Sequence, residues 1–199
     1  RFSILAEQTI KQGGVVFGAR FDENWEVKHD YTETIDGVSV FRGSKYVQSK
    51  TGDTFKQAEQ FLKQNRKVLF SGTPCQIVAL KRYLKKEYEN LLLVDFICHG
   101  VPSPGVWRKY LKQVIALTCD KNTVSSHLKL LLSERNALVE GISFRDKRLG
   151  WQKYSFSLTL STTDESGNKN TVSLSESLNE NLFMRGFLAN LYLRPSCYA

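Results

Sequence analysis

The chain has 199 residues, 41% hydrophobic and 24% charged, with a formal net charge of +8. Those proportions exclude a disordered or collagen-like polymer and leave enough apolar residues for a real core. No apolar run approaches the roughly 20 residues a helix needs to cross a bilayer, and the stretch from Leu91 to Val94 is interrupted at Asp95. The opening residues, Arg1-Phe2-Ser3-Ile4, lack the apolar core of a secretory leader, so a cytoplasmic location is expected. Four cysteines are too few and too scattered for a disulfide scaffold, and in a reducing compartment cysteines at turns point to metal or redox chemistry. A sequence pI near 9.3 fits phosphate binding, yet the Lys and Arg are dispersed and no helix-turn-helix, zinc-finger or RNP-type signature is present. Nucleic acid is therefore not an expected partner; the charge reads first as a solvated basic surface, with a bound anionic cofactor as the alternative.

In chain order, Ile4, Leu5 and Ile10 mark a helix from Phe2 to Lys11, stopped by Gly13-Gly14. Val15 to Phe21 reads as a strand, Asp22-Glu23-Asn24 as a turn, and Trp25 to Tyr31 as the returning strand. Asp53 to Gln64 reads as a short helix. Lys67 to Ser71 is a short buried strand ending at Gly72. Thr73-Pro74-Cys75-Gln76 then opens a helix with Thr at N-cap, Pro at N1 and Gln completing a capping box. Ile77, Leu80, Leu84 and Tyr88 give that helix one apolar face. Leu91 to Ile97 is a second apolar strand, closed by Cys98-His99-Gly100, and Ser103-Pro104 starts a helix with Val106, Trp107, Tyr110, Leu111, Val114 and Ile115 inward. Ala137 to Phe144, Tyr154 to Leu160 and Thr171 to Leu174 alternate as strands around an Asp164 to Asn168 loop. Leu178 to Leu191 reads as a closing helix. The fold class is α/β: a central sheet with a parallel strand-helix-strand crossover plus added antiparallel strands. Nothing in composition marks a linker, so residues 1–199 are expected to form a single α/β domain.

Ligands of open parallel sheets gather outside the carboxyl ends of the strands. Cys75 lies just past the first crossover strand and Cys98 at the tip of the second; strands about 5 Å apart would turn both sulfurs to one crevice. Cys75 also sits in the first turn of a helix, where the dipole favours thiolate, the form that ligates iron or zinc. The alternative is that both are small buried hydrophobes. Cys119 has no motif around it and reads as structural. His99 can be a ligand, a proton donor or a satisfied turn residue. His29 and His127 have no recognisable partners and are assigned to the surface. Gly43 to Ser49 concentrates a flexible turn, hydroxyls, an amide and the Lys45 cation, which suits phosphate or ribityl contacts. Arg145-Asp146-Lys147 followed by Gly150-Trp151 pairs cations with an aromatic plate; taken singly, each of these two segments reads first as a solvated turn. A Rossmann fingerprint and a Walker loop are both absent from the sequence.

Together these segments resemble a known family. Phe70 to Gln76, Val94 to Ser103, Gly43 to Ser49, Phe144 to Lys147 with Gly150-Trp151, and Arg194-Pro195-Ser196-Cys197 look like the motifs of the coenzyme F420 hydrogenase/dehydrogenase beta-subunit family, in the family's order. The resemblance spans roughly residues 13–199. It implies a flavoprotein that holds FAD in an α/β domain that is not a Rossmann fold. A cysteine-bound [4Fe–4S] cluster exchanges electrons with the flavin, and the acceptors are a deazaflavin coenzyme or other two-electron acceptors such as a chlorophyll precursor. By motif, Cys75, Cys98 and Cys197 are the cluster-ligand candidates, and Lys45, Gln48, Gly72, Thr73 and Lys147 the flavin-site candidates. His99 is the one candidate for a catalytic role. The family pattern continues into another cysteine three residues beyond Cys197. It also begins with a segment upstream of Arg1, often with a ferredoxin-like module. The chain is accordingly expected to be a fragment, inactive alone, with an incomplete or absent cluster.

The function expected from the resemblance is an oxidoreductase domain passing electrons between the cluster and FAD and on to a soluble acceptor. Its partners would be an electron-donor protein or ferredoxin-like module and a soluble redox cofactor or substrate. The rival expectation is a non-catalytic binding domain that uses a basic crevice for an anionic ligand or partner. A structural zinc site ranks last, because the two cysteines come from separate strand ends rather than paired C-x-x-C knuckles.

Overall fold

Val15, Val16 and Phe17 are all fully buried because β1 (Val15–Phe21) lies inside a sheet covered on both faces. The computed structural model describes residues 2–120, 138–148, 150, 153–163 and 169–197, and the chain divides into two units, Arg1–Val101 and Pro102–Ala199.

In the first unit the sheet order is β2-β1-β3-β4, with β2 spanning Val27–Thr32, β3 Val68–Ser71 and β4 Leu91–Val94. β1, β3 and β4 are parallel, and β2 returns antiparallel to β1 through the Asp22 turn. Side chains alternate across a strand, so Val16 and Leu69 face one side with Val38, Phe41 and Ala6 of α1 (Phe2–Lys11). Val15, Phe17, Val68 and Phe70 face the other. There they meet Ala58 and Leu62 of α2 (Thr54–Lys63) and Ile77, Leu80 and Leu84 of α3 (Pro74–Leu84). Covering on both faces explains why the inner strands read as unbroken apolar runs. Each such side chain contributes about 1.5–3 kcal/mol on burial. The parallel crossover and the α/β class agree with the sequence reading.

Several boundaries differ, two of them beside the strand ends of this unit. β4 ends at Val94, not Ile97, and Phe96 and Ile97 are exposed. Its ladder partner β3 ends at Ser71, paired with Val94, and then turns into α3, so residues past 94 have no strand to bond. Cys98 is thus not at a strand tip but four residues beyond one. α3 stops at Leu84, because Lys85 takes the left-handed conformation at φ 58°; Tyr88 lies past the helix yet still packs on its core.

In the second unit α4 (Pro104–Asp120) precedes a three-stranded antiparallel sheet, order β5-β6-β7. β5 spans Leu138–Asp146, β6 Ser155–Thr163 and β7 Lys169–Ser177. Trp107 anchors its core, with ring centroids 5.1 Å from both Phe144 and Phe183. The closing helix, α5, is Leu182–Leu188 rather than Leu178 to Leu191. The Asn181 side chain accepts from the Met184 N–H and so caps its start, while Asn190 at φ 62° ends the helical path. The expected Asp164 to Asn168 loop, His127 and Trp151 lie outside the described residues.

Candidate functional site

At the carboxyl end of β3 the backbone passes through Gly72 and Thr73, both buried, into the first turn of α3. The Thr73 N–H donates to Gln76 Oε1 at 3.0 Å, and Pro74 has no N–H, so the helix start is largely satisfied by its own side chains. Cys75, in that first turn, is exposed, and its Sγ lies 3.1 Å from Thr73 Oγ1. It borders a surface cleft of about 720 Å³ between α2 and α3, walled by Phe55, Val78 and Tyr83, with the Arg82 cation beside them. Cys98 does not line that cleft; it is half-buried in the segment after β4, beside an exposed His99.

His29 is the residue that sequence reasoning misplaced. It is buried, not on the surface, with Nδ1 2.7 Å from Ser49 Oγ and Nε2 3.0 Å from the Ser71 carbonyl, its ring stacked on Phe70. β2 carries it inward because His29 opposes Ala19 in the ladder, alternating with more exposed neighbours. Burial lowers its pKa, and the Ser71 bond only partly offsets that. The period-2 pattern Val27, His29, Tyr31 was the available signal.

Lys45 is partly buried and donates to the Arg42 and Gly43 carbonyls at 3.0 and 3.2 Å, with its ammonium 5.9 Å from the Phe21 ring. Among the described residues it has no carboxylate partner, and burial pushes its pKa down to about 8. Gln48 is half-buried in the same segment, next to buried Val47. In the second unit, Lys147 is exposed at the end of β5. The preceding Asp146 is held near pKa 2 by its hydrogen bond with Arg148. The Arg145 guanidinium lies 4.1 Å over the Tyr154 ring, and its buried Nε has no hydrogen-bond partner among the described residues. Cys197 is exposed in a short 3-10 turn, Pro195–Cys197.

The first unit is an α/β layer with three parallel strands, whose strand-end turn gathers the Ser49 and Thr73 hydroxyls, the Gln76 amide and the His29 ring, the class of site where such sheets hold ligands. Over residues 65–199 the chain matches the family model for the C terminus of the beta subunit of coenzyme F420 hydrogenase/dehydrogenase, and it belongs to that family. A chain of the F420-reducing [NiFe] hydrogenase complex from Methanosarcina barkeri, solved with xenon derivatization, is similar in fold. Its TM-score is 0.50 at 15% identity, with 98% of this chain and 56% of that one covered. This chain therefore spans a little over half of that relative's length. No curated protein matches it.

Lys45 fits an anionic cofactor such as FAD: it is a partly desolvated ammonium held by carbonyl dipoles, with its countercharge still to be supplied. The cysteines are divided, with Cys75 and Cys98 in the first unit and Cys119 and Cys197 in the second. Within neither unit, among the described residues, do three metal-ligating side chains come together. Two cysteines in each unit are fewer than the four that a [4Fe–4S] cluster ordinarily uses.

Proposed function

We propose that this chain is an oxidoreductase domain that passes electrons between a [4Fe–4S] cluster and FAD, and on to a soluble two-electron acceptor such as a deazaflavin coenzyme. The observation that carries the reading is family membership over residues 65–199, a span that includes Cys75, Cys98 and Cys197. Those three cysteines are the cluster-ligand candidates. Lys45, Gln48, Gly72, Thr73 and Lys147 are the flavin-site candidates, and His99 is a candidate proton donor. FAD, when bound, supplies hydride and single-electron chemistry; the chain supplies position and charge. Lys45 contributes the cation for an anionic part of the cofactor, and the buried Gly72-Thr73 turn sets a fixed wall at the strand end. The protein works in the cytoplasm beside an electron-donor protein or a ferredoxin-like module. Among the described residues no helix is long and apolar enough to cross a membrane.

The test is an absorption spectrum with FAD and iron content, before and after reduction, following anaerobic reconstitution. The full-length protein is expected to be yellow-brown, with Cys75→Ser losing iron while keeping the fold, whereas residues 1–199 alone are expected to hold no intact cluster. A colourless full-length protein that takes up neither FAD nor iron sinks the reading. The binding-domain alternative predicts that Cys75→Ser leaves affinity for an anionic ligand unchanged, with no iron to lose.

A further inference from the structure

We propose that His29 is a positioning residue of this site: through the Ser49 hydroxyl it latches the Gly43 to Ser49 segment onto the turn that opens α3. The proposal rests on the reading that those two segments form one cofactor site.

With the His29 ring neutral, the geometry leaves a single arrangement of protons. The Thr73 backbone N–H can only donate, so its 3.0 Å partner is Gln76 Oε1, and this fixes which way the Gln76 amide points. Gln76 Nε2 therefore donates to Ser49 Oγ at 2.9 Å. At the other end the Ser71 carbonyl can only accept, so His29 carries a proton on Nε2. In the neutral ring Nδ1 is then a bare acceptor, and the Ser49 hydroxyl donates to it across 2.7 Å. Burial favours that neutral ring. One directed chain thus runs from the backbone of Thr73 through Gln76, Ser49 and His29 to the backbone of Ser71.

Two flavin-site candidates stand against this chain: Thr73 at its end, and Gln48 next to Ser49. The backbone reinforces it, since the His29 N–H donates to the Lys50 carbonyl at 2.8 Å and the Lys50 N–H to the Val27 carbonyl at 2.9 Å. Gly72 lies beneath. A Cβ there would sit 3.1 Å from Gln76 Oε1, closer than ordinary contact, and 3.6 Å from His29 Nε2, an ordinary contact distance. A histidine that merely filled space would not need its Nδ1 aimed at the one hydroxyl that also receives Gln76.

The two ring nitrogens can be separated by substitution. Asn places an acceptor near Nδ1 and loses the Ser71 bond; Gln places a donor near Nε2 and loses the Ser49 bond. Amide hydrogen exchange at Thr73 is measured without cofactor, and FAD affinity by titration. In His29→Ala and Ser49→Ala, exchange at Thr73 should quicken about tenfold and FAD should bind about tenfold more weakly, one hydrogen bond's worth. His29→Asn should stay near wild type in both and His29→Gln should behave like His29→Ala. The double variant of His29→Ala and Ser49→Ala should be no worse than either alone. Ser49→Ala removes only one oxygen and keeps the test decisive if His29→Ala does not fold. Unchanged Thr73 exchange in Ser49→Ala overturns the latch, as does rescue by Gln in place of Asn. Altered exchange with unchanged FAD affinity overturns the positioning role alone. Failure of the wild type to bind FAD overturns the flavin reading and that role with it, while exchange still decides the latch.

Discussion

The Ser71 hydroxyl donates to the Phe17 carbonyl, 2.9 Å away, at the point where β1 and β3 stop pairing. Phe17 with Phe70 is the last matched pair of that ladder. Beyond it β1 continues alongside β2, while β3 turns off into α3. At this split the Ser71 hydroxyl donates to the Phe17 carbonyl and the His29 ring, through Nε2, to the Ser71 carbonyl. The polar groups of the candidate site are gathered at this fork because the sheet opens there.

The buried His29 makes stability sensitive to acid. Its pKa in the folded chain lies below the ordinary 6.5, so the unfolded chain binds the proton more tightly. Its contribution is complete above 6.5 and is lost as pH falls through the folded value. Thermal unfolding followed between pH 7.5 and pH 5 should show a falling midpoint, and His29→Gln should flatten that dependence. An equally steep fall in the variant would place the effect elsewhere.

Lys45 gives the opposite signature in binding. Its ammonium titrates near 8, so FAD affinity should weaken as pH rises from about 7 to 9. Lys45→Met should bind weakly with no such slope, and Lys45→Arg should hold affinity to higher pH. In the ligand-free protein the depressed pKa acts on folding the other way: stability climbs between about 8 and 10.5, where only the unfolded chain keeps the proton.

Gly14 is expected to tolerate no side chain. A Cβ there would lie 2.6 Å from Thr9 Cγ2 and 2.7 Å from the carbonyls of Thr9 and Lys67, and the two carbonyls cannot swing aside. Gly14→Ala should cost about 1–3 kcal/mol in urea unfolding. In Gly141→Ala the nearest atom is Thr159 Cβ at 3.9 Å, and stability should change by less than about 0.5 kcal/mol. Equal losses would contradict the close approach of Gly14.

Leu80 and Val78 lie on the same helix but differ in burial, at 0% and 48% exposed. Leu80→Ala removes side-chain volume between α3 and the sheet and should cost about 2–5 kcal/mol. Val78→Ala, at the rim of the cleft, should stay within about 0.5 kcal/mol of wild type. Denaturant midpoints measured side by side decide it.

The element order was legible because its signals are local. The apolar runs Val68 to Phe70 and Leu91 to Val94, the Thr73-Pro74 helix start and the Gly13-Gly14 stop are each written within a few residues. The family motifs were legible for the same reason. Where β4 ends was not, because a strand lasts only as long as its partner and Asp95 to Ile97 carry no trace of where β3 turns away. Nor was the length of α5, which Asn181 begins by capping Met184.

His29 marks the boundary most sharply. Its own neighbours in sequence, Lys28 and Asp30, say little, while its partners Ser49 and Ser71 stand 20 and 42 residues away. Periodicity and capping rules reach across one or two turns of helix or a few residues of strand. A hydrogen bond between distant segments exists only once sheet pairing and helix packing have set the distance. Residue identity therefore settled the chemistry available at the strand ends, and folding settled which of those groups meet there, because hydrogen-bond geometry is a property of positions in space rather than of order along the chain.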